Sequence, residues 1–370
     1  MEARILDRIA QVPAQAWDAV AGTHPFVRHA FLAALEDTGC ACPATGWRPR
    51  HLVLQESGRI LGALPLYEKT HSYGEFVFDW AWADAYRRHG MAYYPKWIAA
   101  IPFTPVTGPR LLAPTDSAKA MLVAEAVRHA REANASSFHL LFATGEEART
   151  AEAAGLLARR DVQFHWRNQG YGGFADFLAA LAGSKRRKIL QERRRVAAAG
   201  IQVVVVTGPE AAEADWHFLF ACHCNTLRAH GRSAFLSESF FQQLARDMPE
   251  NLVLFIARRN GRPIGGSLCL RDADRLYGRY WGSVEEVSCL HFEACYYAPI
   301  EFCIRERLAV FEGGAQGEHK LARGFLPVET RSAHWLAHPA FATAVDRYLE
   351  RERAAVAEYA GEMASHSPFR

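Results

Sequence analysis

The segment that decides the predicted fold is Phe311-Glu312-Gly313-Gly314-Ala315-Gln316-Gly317-Glu318-His319-Lys320. It predicts a short strand followed by a turn, whose glycines let the backbone take a positive φ or approach a ligand closely. A strand predicted over Leu276–Gly282 and then a helix precede it. Polar groups at the ends of two strands joined by a helix are typical of a site in an α/β domain.

Composition limits the class of protein to which the chain can belong. Half of the 370 residues are hydrophobic, 12% are aromatic and the formal net charge is +3, so large cores are expected and any basic patch must be local. We expect no signal peptide and no membrane span, because no stretch approaches ~18 apolar residues. The eight cysteines form no Cys-x-x-Cys pair, so reduced thiols and a cytoplasmic protein are expected.

The order of predicted elements indicates a duplicated architecture. Two β-hairpins, with turns at Ser57-Gly58 and Asn260-Gly261, each follow helices and precede a further strand. The predicted domains are 1–163 and 164–370, and the second includes a basic helix at 184–199 and a C-terminal helix at 340–362.

Four local features are also predicted. Phe76–Phe78 is expected to be a third strand of the first domain, and Ser184 is expected to cap the basic helix. Pro299 should kink the helix predicted over 292–308, because proline lacks the backbone donor. The aromatic-rich stretch Trp80–Pro109 forms either a groove for an extended or sugar-bearing ligand or part of the core.

The element order of helices, antiparallel hairpin, strand, helix and strand resembles the GNAT acyltransferase fold. Two such units in tandem resemble the Fem-type peptidoglycan aminoacyltransferases, and the chain more closely resembles Fem-like predicted N-acyltransferases, also described as peptidoglycan biosynthesis/recognition proteins. The matching segments are Tyr277–Gly282, Leu290–Glu293, Gly314–Phe325, His24–Phe26, Ile101–Arg110 and Phe164–Asn168. The resemblance implies an α/β (α+β) chain with two tandem GNAT-like domains, each a mixed, mostly antiparallel sheet flanked by helices.

The same resemblance implies transfer of an acyl or aminoacyl group to an amine acceptor, such as a peptidoglycan precursor or a peptide. The implied donor is acyl-CoA or aminoacyl-tRNA, so tRNA is a candidate partner; no tightly bound cofactor and no DNA are expected. One segment departs from the GNAT pattern: Ser283-Val284-Glu285-Glu286 stands where GNAT enzymes carry a Gly-x-Gly pyrophosphate loop.

Four side chains are candidates for catalysis. Acyl transfer to an amine needs a base for the ammonium group and a group that stabilises the oxyanion. Glu318 or His319 can supply the base, and Lys320 can hold a carbonyl or phosphate oxygen. Arg279 either binds an anionic ligand or pairs with a carboxylate such as Glu293 or Glu318.

Further side chains are candidates for binding. A regular strand places Tyr277 and Arg279 on one face and Gly278 and Tyr280 on the other. The substrate-binding candidates are Tyr277, Tyr280, Trp281, His291, Glu293, Gln316 and Arg323. The donor-phosphate candidates are Lys185, Arg186, Arg187 and Lys188. In the alternative, this helix is a solvated face on which Lys188 and Glu192 form an i,i+4 pair.

Two other functions stay open from the residues alone. A non-catalytic module can use the same cleft to recognise a cell-wall or peptide ligand. His291 and Glu293, with Glu318 and His319, can form a hydrolytic metal site, although the His-Glu-x-x-His spacing is missing and no metal is expected. Donor turnover would separate the first alternative from a transferase, and bound metal would favour the second.

Overall fold

The computed structural model describes residues 1–229, 231, 233–315 and 317–370 and separates into two units. Unit 1 contains Met1–Val162 and Glu329–Tyr359, and unit 2 contains Gln163–Val328 and Ala360–Arg370. Two continuous domains, 1–163 and 164–370, therefore do not describe the chain. Residues 329–359 return to unit 1, because a late strand pairs there and most of the C-terminal helix follows it.

Unit 1 consists of short strands and amphipathic helices. Its strands are β1 Glu2–Leu6, β2 Trp47–Pro49, β3 His51–Glu56, β4 Arg59–Leu64, β5 Tyr67–Lys69, β6 Lys96–Ala99, β7 Ser137–Ala143 and the parts of β8 Leu157–Arg167 and β14 Leu326–Leu336 that fall within it. Its helices are α1 Ala14–Ala21, α2 His29–Asp37, α3 Trp80–Arg88, α4 Asp116–Glu132, α5 Gly145–Ala153 and most of α12 Pro339–Ser365.

The strands of unit 1 form two sheets, ordered β1-β3-β4 and β2-β5-β6-β7-β14. The hairpin predicted at Ser57-Gly58 is confirmed: φ is 49° at Ser57 and 79° at Gly58, as a two-residue turn requires. Strands β6 and β7 are parallel and are connected by α4, whose Leu122 and Val123 are fully buried in the core. The strand predicted at Phe76–Phe78 is wrong, because Phe76 and Val77 form a bend, with Phe76 at φ 62°, and Phe78 belongs to no strand.

The aromatic residues between Trp80 and Pro109 belong mostly to the core. Trp82, Tyr86 and Tyr93 pack against apolar side chains of β14 and α12. Trp97 and Phe103 are also buried, at 4% and 5% exposure. Trp80, by contrast, is 41% exposed. Most of this stretch therefore stabilises unit 1 rather than lining a groove.

Unit 2 begins within β8 and carries the glycine-rich segment. Its other strands are β9 Ile201–Thr207, β10 Leu252–Arg259, β11 Arg262–Arg271, β12 Arg275–Ser283 and β13 Val310–Glu312. Its helices are α6 Phe174–Ala180, α7 Gly183–Ala198, α8 Glu213–Ala229, α9 Glu238–Asp247, α10 Leu290–Phe292 and α11 Ala298–Arg305. A 3-10 helix spans Glu318–Arg323.

The sheet of unit 2 has the order β8-β13-β12-β11-β10-β9. The hairpin at Asn260-Gly261 is confirmed, with φ of 51° and 77°. Strands β12 and β13 are parallel, while β13 pairs with β8 in the antiparallel sense. Each unit thus contains a parallel pair connected through a helix, and this similarity is what a duplication predicts.

One local prediction in unit 2 needs correction. Ser184 lies inside the first turn of α7, because the helix begins at Gly183 and Ala182 is its N-cap. Pro299 lies inside a continuous helix, because α10, the π-helical turn Glu293–Tyr297 and α11 join with right-handed helical φ and ψ at Glu293, Tyr297 and Ala298. The π-helical turn just before Pro299 is the irregularity of this helix, and such turns are frequent at functional sites. In the described part of the chain, no helix is both long enough and apolar enough to cross a membrane.

Candidate active site in unit 2

The candidate site lies where the parallel strands β12 and β13 diverge. Their pairing ends at Tyr277 and Glu312, and glycines follow on both strands. A Cβ atom on Gly278 would lie 3.3 Å from the Phe311 ring, and one on Gly313 would lie 2.8 Å from the Phe325 ring. Side chains larger than glycine would therefore crowd the point of divergence, which explains why glycine occupies both positions.

A β-bulge at Arg279 interrupts β12 beside this point. Leu268 pairs with Tyr280, but the next residue of β11, Cys269, pairs with Gly278, so Arg279 is the extra residue. The regular alternation predicted for β12 is therefore wrong. Tyr277 and Tyr280 lie on the same face, because their partners Leu270 and Leu268 are two residues apart on β11. Bulges of this kind are common beside active sites.

A cavity of about 140 Å³ occupies the space between the diverging strands. Its lining residues are Ser267–Cys269 of β11, Gly278–Trp281 of β12, Gly313 and Gly314 after β13, and His291, Cys295 and Tyr296 of the π-containing helix. The ring of Tyr280 also contacts His223 of α8 and Phe241 of α9, with centroids 5.2 Å apart in each case. Residues from β11, β12, the turn after β13 and one helix therefore meet at a single small cavity.

The cations and acids of the glycine-rich turn occupy different environments. Glu318 and His319 are exposed, whereas Lys320 is only 2% exposed. The Lys320 ammonium donates to the carbonyl oxygen of Gly314 at 2.6 Å, and burial lowers the pKa of Lys320 to about 8. Nε2 of His319 lies 2.9 Å from the hydroxyl of the cavity residue Tyr296. Gln316 lies outside the described residues.

A buried carboxyl group, Glu312, lies at the end of β13 and was missed by the sequence predictions. It is 3% exposed, and burial raises its pKa to about 7. Oε1 accepts a hydrogen bond from Arg275 at 3.0 Å. Oε2 accepts none from the described residues and lies 3.8 Å from Nε2 of His165, whose pKa burial lowers to about 3. The sequence feature that could have indicated Glu312 is its position, because it is an acid in an apolar strand directly before Gly313-Gly314.

Two of the predicted substrate-binding residues are held in ion pairs. Arg323 is 2% exposed and contacts Glu192 of α7 at 2.9 Å, with its guanidinium 3.5 Å above the Phe292 ring. Glu293 is 7% exposed and contacts Arg193 at 2.9 Å. These contacts fix the 3-10 helix and the π-helical turn against α7. Both buried side chains therefore have a partner within the protein, and no ligand is needed to explain their burial.

The aromatic candidates lie closer to the cavity. The rings of Trp281 and His291 are 5.5 Å apart, and both residues line the cavity. Burial lowers the pKa of His291 to about 4, so its imidazole is neutral at neutral pH. Tyr280 lines the cavity as well, whereas Tyr277 is buried and donates its hydroxyl to Asp272 at 2.7 Å.

The family whose model matches the chain is FemAB_like, described as peptidoglycan biosynthesis/recognition, and the match covers residues 8–370. The chain belongs to this family. No sequence among curated proteins matches it. Solved structures match at low sequence identity and therefore bear on the fold alone.

Three solved structures are similar in fold to this FemAB_like chain. FemX is 12% identical with a TM-score of 0.57, over 94% of this chain and 100% of FemX. The C-terminal domain of a putative lysylphosphatidylglycerol synthetase from Agrobacterium fabrum is 12% identical with a TM-score of 0.54, over 91% and 95%. L-PGS from Bacillus licheniformis is 11% identical with a TM-score of 0.50, over 86% and 95%. The predicted fold class of tandem GNAT-like units is confirmed.

The basic helix of this FemAB_like chain is α7. Arg187 and Lys188 are exposed, Lys185 and Arg186 are half-buried, and none of the four is within ion-pair distance of an acid in the described residues. The alternative pair between Lys188 and Glu192 does not form, because Glu192 is buried against Arg323 and the hydroxyl of Tyr297. These four side chains, called the α7 cations below, are therefore available to an anion.

The segment after β12 is acidic rather than glycine-rich. Glu285 pairs with Arg259 at 2.5 Å, and Val284 is 44% exposed. Among the described residues, no group of three or more His, Cys, Asp and Glu side chains is arranged to hold a metal ion. All eight cysteines are free thiols.

Proposed function

We propose that the protein transfers an acyl or aminoacyl group from an activated donor to an amine acceptor, a peptidoglycan precursor or a peptide. Membership of the FemAB_like family and the fold shared with FemX support this reaction class. The observation that carries the proposal is Glu312, a buried carboxyl group with a pKa near 7 at the point where β12 and β13 diverge.

The diverging strands provide a place for the donor. Backbone pairing between β12 and β13 stops at Tyr277 and Glu312, and Gly278, Gly313 and Gly314 line the cavity beyond it. An extended donor arm with amide groups can follow the strand edges there, in the way a peptide adds to a sheet. The reactive carbonyl of the donor would then lie beside Arg279 and the bulge.

Glu312 is the base in this proposal. A base is most effective when its pKa lies near the working pH, and Glu312 meets that condition because burial raises its pKa. Glu318 is exposed and is the competing base, with His319 as a third candidate. The acceptor ammonium gives a proton to the carboxylate, and the resulting amine attacks the donor carbonyl carbon.

Lys320 is the group that stabilises charge. As the new C–N bond forms, negative charge develops on the carbonyl oxygen, and a fixed cation lowers the free energy of that state. Lys320 is buried beside Gly314 and is charged at neutral pH. The C–O bond of an aminoacyl ester, or the C–S bond of a thioester, then breaks. The second proton of the attacking nitrogen passes to the leaving oxygen or sulfur, so that the products are a neutral amide and the free carrier.

The phosphates of the donor are assigned to the α7 cations. Both proposed donors, acyl-CoA and aminoacyl-tRNA, carry phosphates, so this assignment does not choose between them. The segment that follows β12 carries Glu286, whose exposed carboxylate would repel a pyrophosphate placed there. The name of the Agrobacterium fabrum relative indicates a product that carries a lysyl group, which is in keeping with aminoacyl transfer.

A second candidate function is recognition of a cell-wall or peptide ligand without turnover. The description of the family, peptidoglycan biosynthesis/recognition, supports it. The cavity of about 140 Å³ is smaller than the ~300–1,000 Å³ usual for ligand pockets and favours neither function. Small molecules that copurify with the protein can be identified by mass spectrometry. Release of free tRNA or CoA from labelled donors, in the presence of a nucleotide-linked muropeptide, then decides between the two functions. Acceptor-dependent release supports transfer, and acceptor binding without release of either carrier supports recognition.

A further inference from the structure

The segment 367–370, called the tail below, follows α12 and belongs to unit 2. Its Phe369 forms an isolated antiparallel bridge with Leu181, which is fully buried between α6 and α7. Two backbone hydrogen bonds flank the bridge, from the N–H of Ala182 to the oxygen of Pro368 at 2.8 Å and from the N–H of Arg370 to the oxygen of Ala180 at 3.2 Å. The tail is therefore paired with the connection between α6 and α7.

The ring of Phe369 lies against Gly324, the residue that follows the 3-10 helix Glu318–Arg323. A Cβ atom on Gly324 would lie 3.5 Å from Cζ of Phe369 and 2.8 Å from the ring of Phe177. The φ angle of Gly324 is 89°, in the left-handed region that favours glycine. Phe177 is fully buried, and its ring centroid is 6.5 Å from that of Phe369. The two rings therefore form the surface on which the end of the 3-10 helix rests.

Backbone hydrogen bonds connect this end of the helix to Lys320. The N–H of Gly324 donates to the oxygen of Leu321 at 3.1 Å, and the N–H of Phe325 donates to the oxygen of Lys320 at 3.3 Å. The side chain of Lys320 in turn donates to the oxygen of Gly314, which lines the cavity. The hydrogen bonds of a 3-10 helix are poorly aligned, so such a short helix depends on the contacts at its ends.

Phe369 is the side chain of the tail that reaches Gly324. Pro368 is buried, but Arg370 is exposed. A cavity of about 470 Å³, which Tyr171 also lines, lies beside the half-buried ring of Phe369. The ring is therefore packed on one side and open on the other. Its removal should free the end of the 3-10 helix and leave the backbone bonds of the tail in place.

We propose that Phe369 is a positioning residue, through which the tail holds the 3-10 helix and so fixes Lys320 beside the cavity of the candidate site. The inference rests on the proposed transfer reaction, in which Lys320 stabilises the charge on the carbonyl oxygen. A preorganised cation is effective only when its position is fixed before that charge develops. Because the charge is absent from the bound donor, loss of the Phe369 ring should lower kcat and change KM little.

Hydrogen–deuterium exchange of the full-length protein tests the contact without a donor. In Phe369→Ala the amides of residues 318–325 should exchange about 10-fold faster than in the parent protein, because local opening of the helix exposes them. Phe369→Leu keeps an apolar side chain of similar size and should restore most of the protection. Leu252→Ala is the matched control, because Leu252 is 1% exposed at the start of β10 and its truncation destabilises unit 2 elsewhere. It should leave the exchange of residues 318–325 unchanged.

Turnover gives the second measurement. Phe369→Ala should lower kcat by ~10- to 10²-fold with KM within about twofold of the parent value, and Phe369→Leu should recover most of the rate. Leu252→Ala should keep a normal kcat at temperatures below its melting temperature.

Unchanged exchange of residues 318–325 in Phe369→Ala would overturn the positioning role. Equal acceleration of that exchange in Leu252→Ala would overturn it as well, because the effect would then reflect general loss of stability. A normal kcat in Phe369→Ala would show that Phe369 does not position Lys320 for transfer. Absence of turnover by the parent protein would refute the transfer reaction, whereas the exchange experiment contains no donor and still decides whether Phe369 holds the helix.

Discussion

Replacing Glu312 with Gln tests whether the buried carboxyl group is the base of the proposed transfer. Glutamine keeps the size and can still accept a hydrogen bond from Arg275, but it cannot take up a proton. General-base catalysis typically contributes ~10²–10⁴-fold, so kcat/KM should fall by about that factor. Glu318→Gln is the competing variant, and Glu250→Gln, an exposed carboxylate elsewhere in unit 2, is the matched control.

The pKa of Glu312 gives the prediction a second readout. The rise from an ordinary value of 4.5 to about 7 corresponds to ~3 kcal/mol against the charged form in the folded state. The unfolded chain loses this proton near pH 4.5 and the folded protein near pH 7. The stability that Glu312 contributes is therefore present below pH 4.5 and is lost as the pH rises to 7. The melting temperature of the parent protein should fall relative to that of Glu312→Gln across this range.

The rate should respond to pH in the opposite direction. Because the base must be ionised, kcat/KM of the parent protein should fall about tenfold for each pH unit below 7. Release of the carrier, tRNA or CoA, from a labelled donor can be measured in single turnovers from pH 5 to 9. The rate should fall below pH 7 in the parent protein, and this fall should be absent in Glu312→Gln. If Glu312→Gln keeps a normal rate while Glu318→Gln loses it, the assignment of the base to Glu312 is refuted. A normal rate in both variants would show that neither carboxylate is the base.

Three further predictions concern the surroundings of Glu312. Lys320→Met should lower kcat/KM by ~10²–10³-fold without lowering the melting temperature, because a partly desolvated cation is removed. Lys320→Arg should restore little of the rate, and a near-normal rate in Lys320→Met would contradict the oxyanion role. Arg323→Leu should lower the free energy of unfolding, measured by urea titration, by ~3–5 kcal/mol, and adding Glu192→Leu should recover most of that free energy. Equal instability of the single and double variants would show that the unpaired Glu192 carboxylate is not the cause of the destabilisation. Changing all four α7 cations to Gln should weaken binding of a phosphorylated donor and flatten its dependence on salt, whereas an unchanged salt slope would contradict anion binding there.

The local pattern of the chain determined the two hairpins and the main elements of unit 2. Asn260-Gly261 and Ser57-Gly58 take positive φ values between runs of apolar residues, so the turns follow from neighbouring residues alone. Glycines at 313, 314 and 317 marked the turn after β13, and the run of cations marked α7. The resemblance to Fem-like proteins then indicated the family, which the match over residues 8–370 confirms.

Contacts between distant residues decided what the pattern could not. The bulge at Arg279 depends on the register between β11 and β12, so alternation along β12 alone predicts the wrong faces. Arg323 is held by Glu192, a residue 131 positions away, and the return of residues 329–359 to unit 1 depends on pairing between β14 and β7. The pKa of Glu312 is set by burial, a property of the packed structure. Sequence therefore determined which chemical groups and turns are present, and only tertiary packing decided which groups are buried, paired or placed at the cavity, because desolvation and register depend on partners far along the chain.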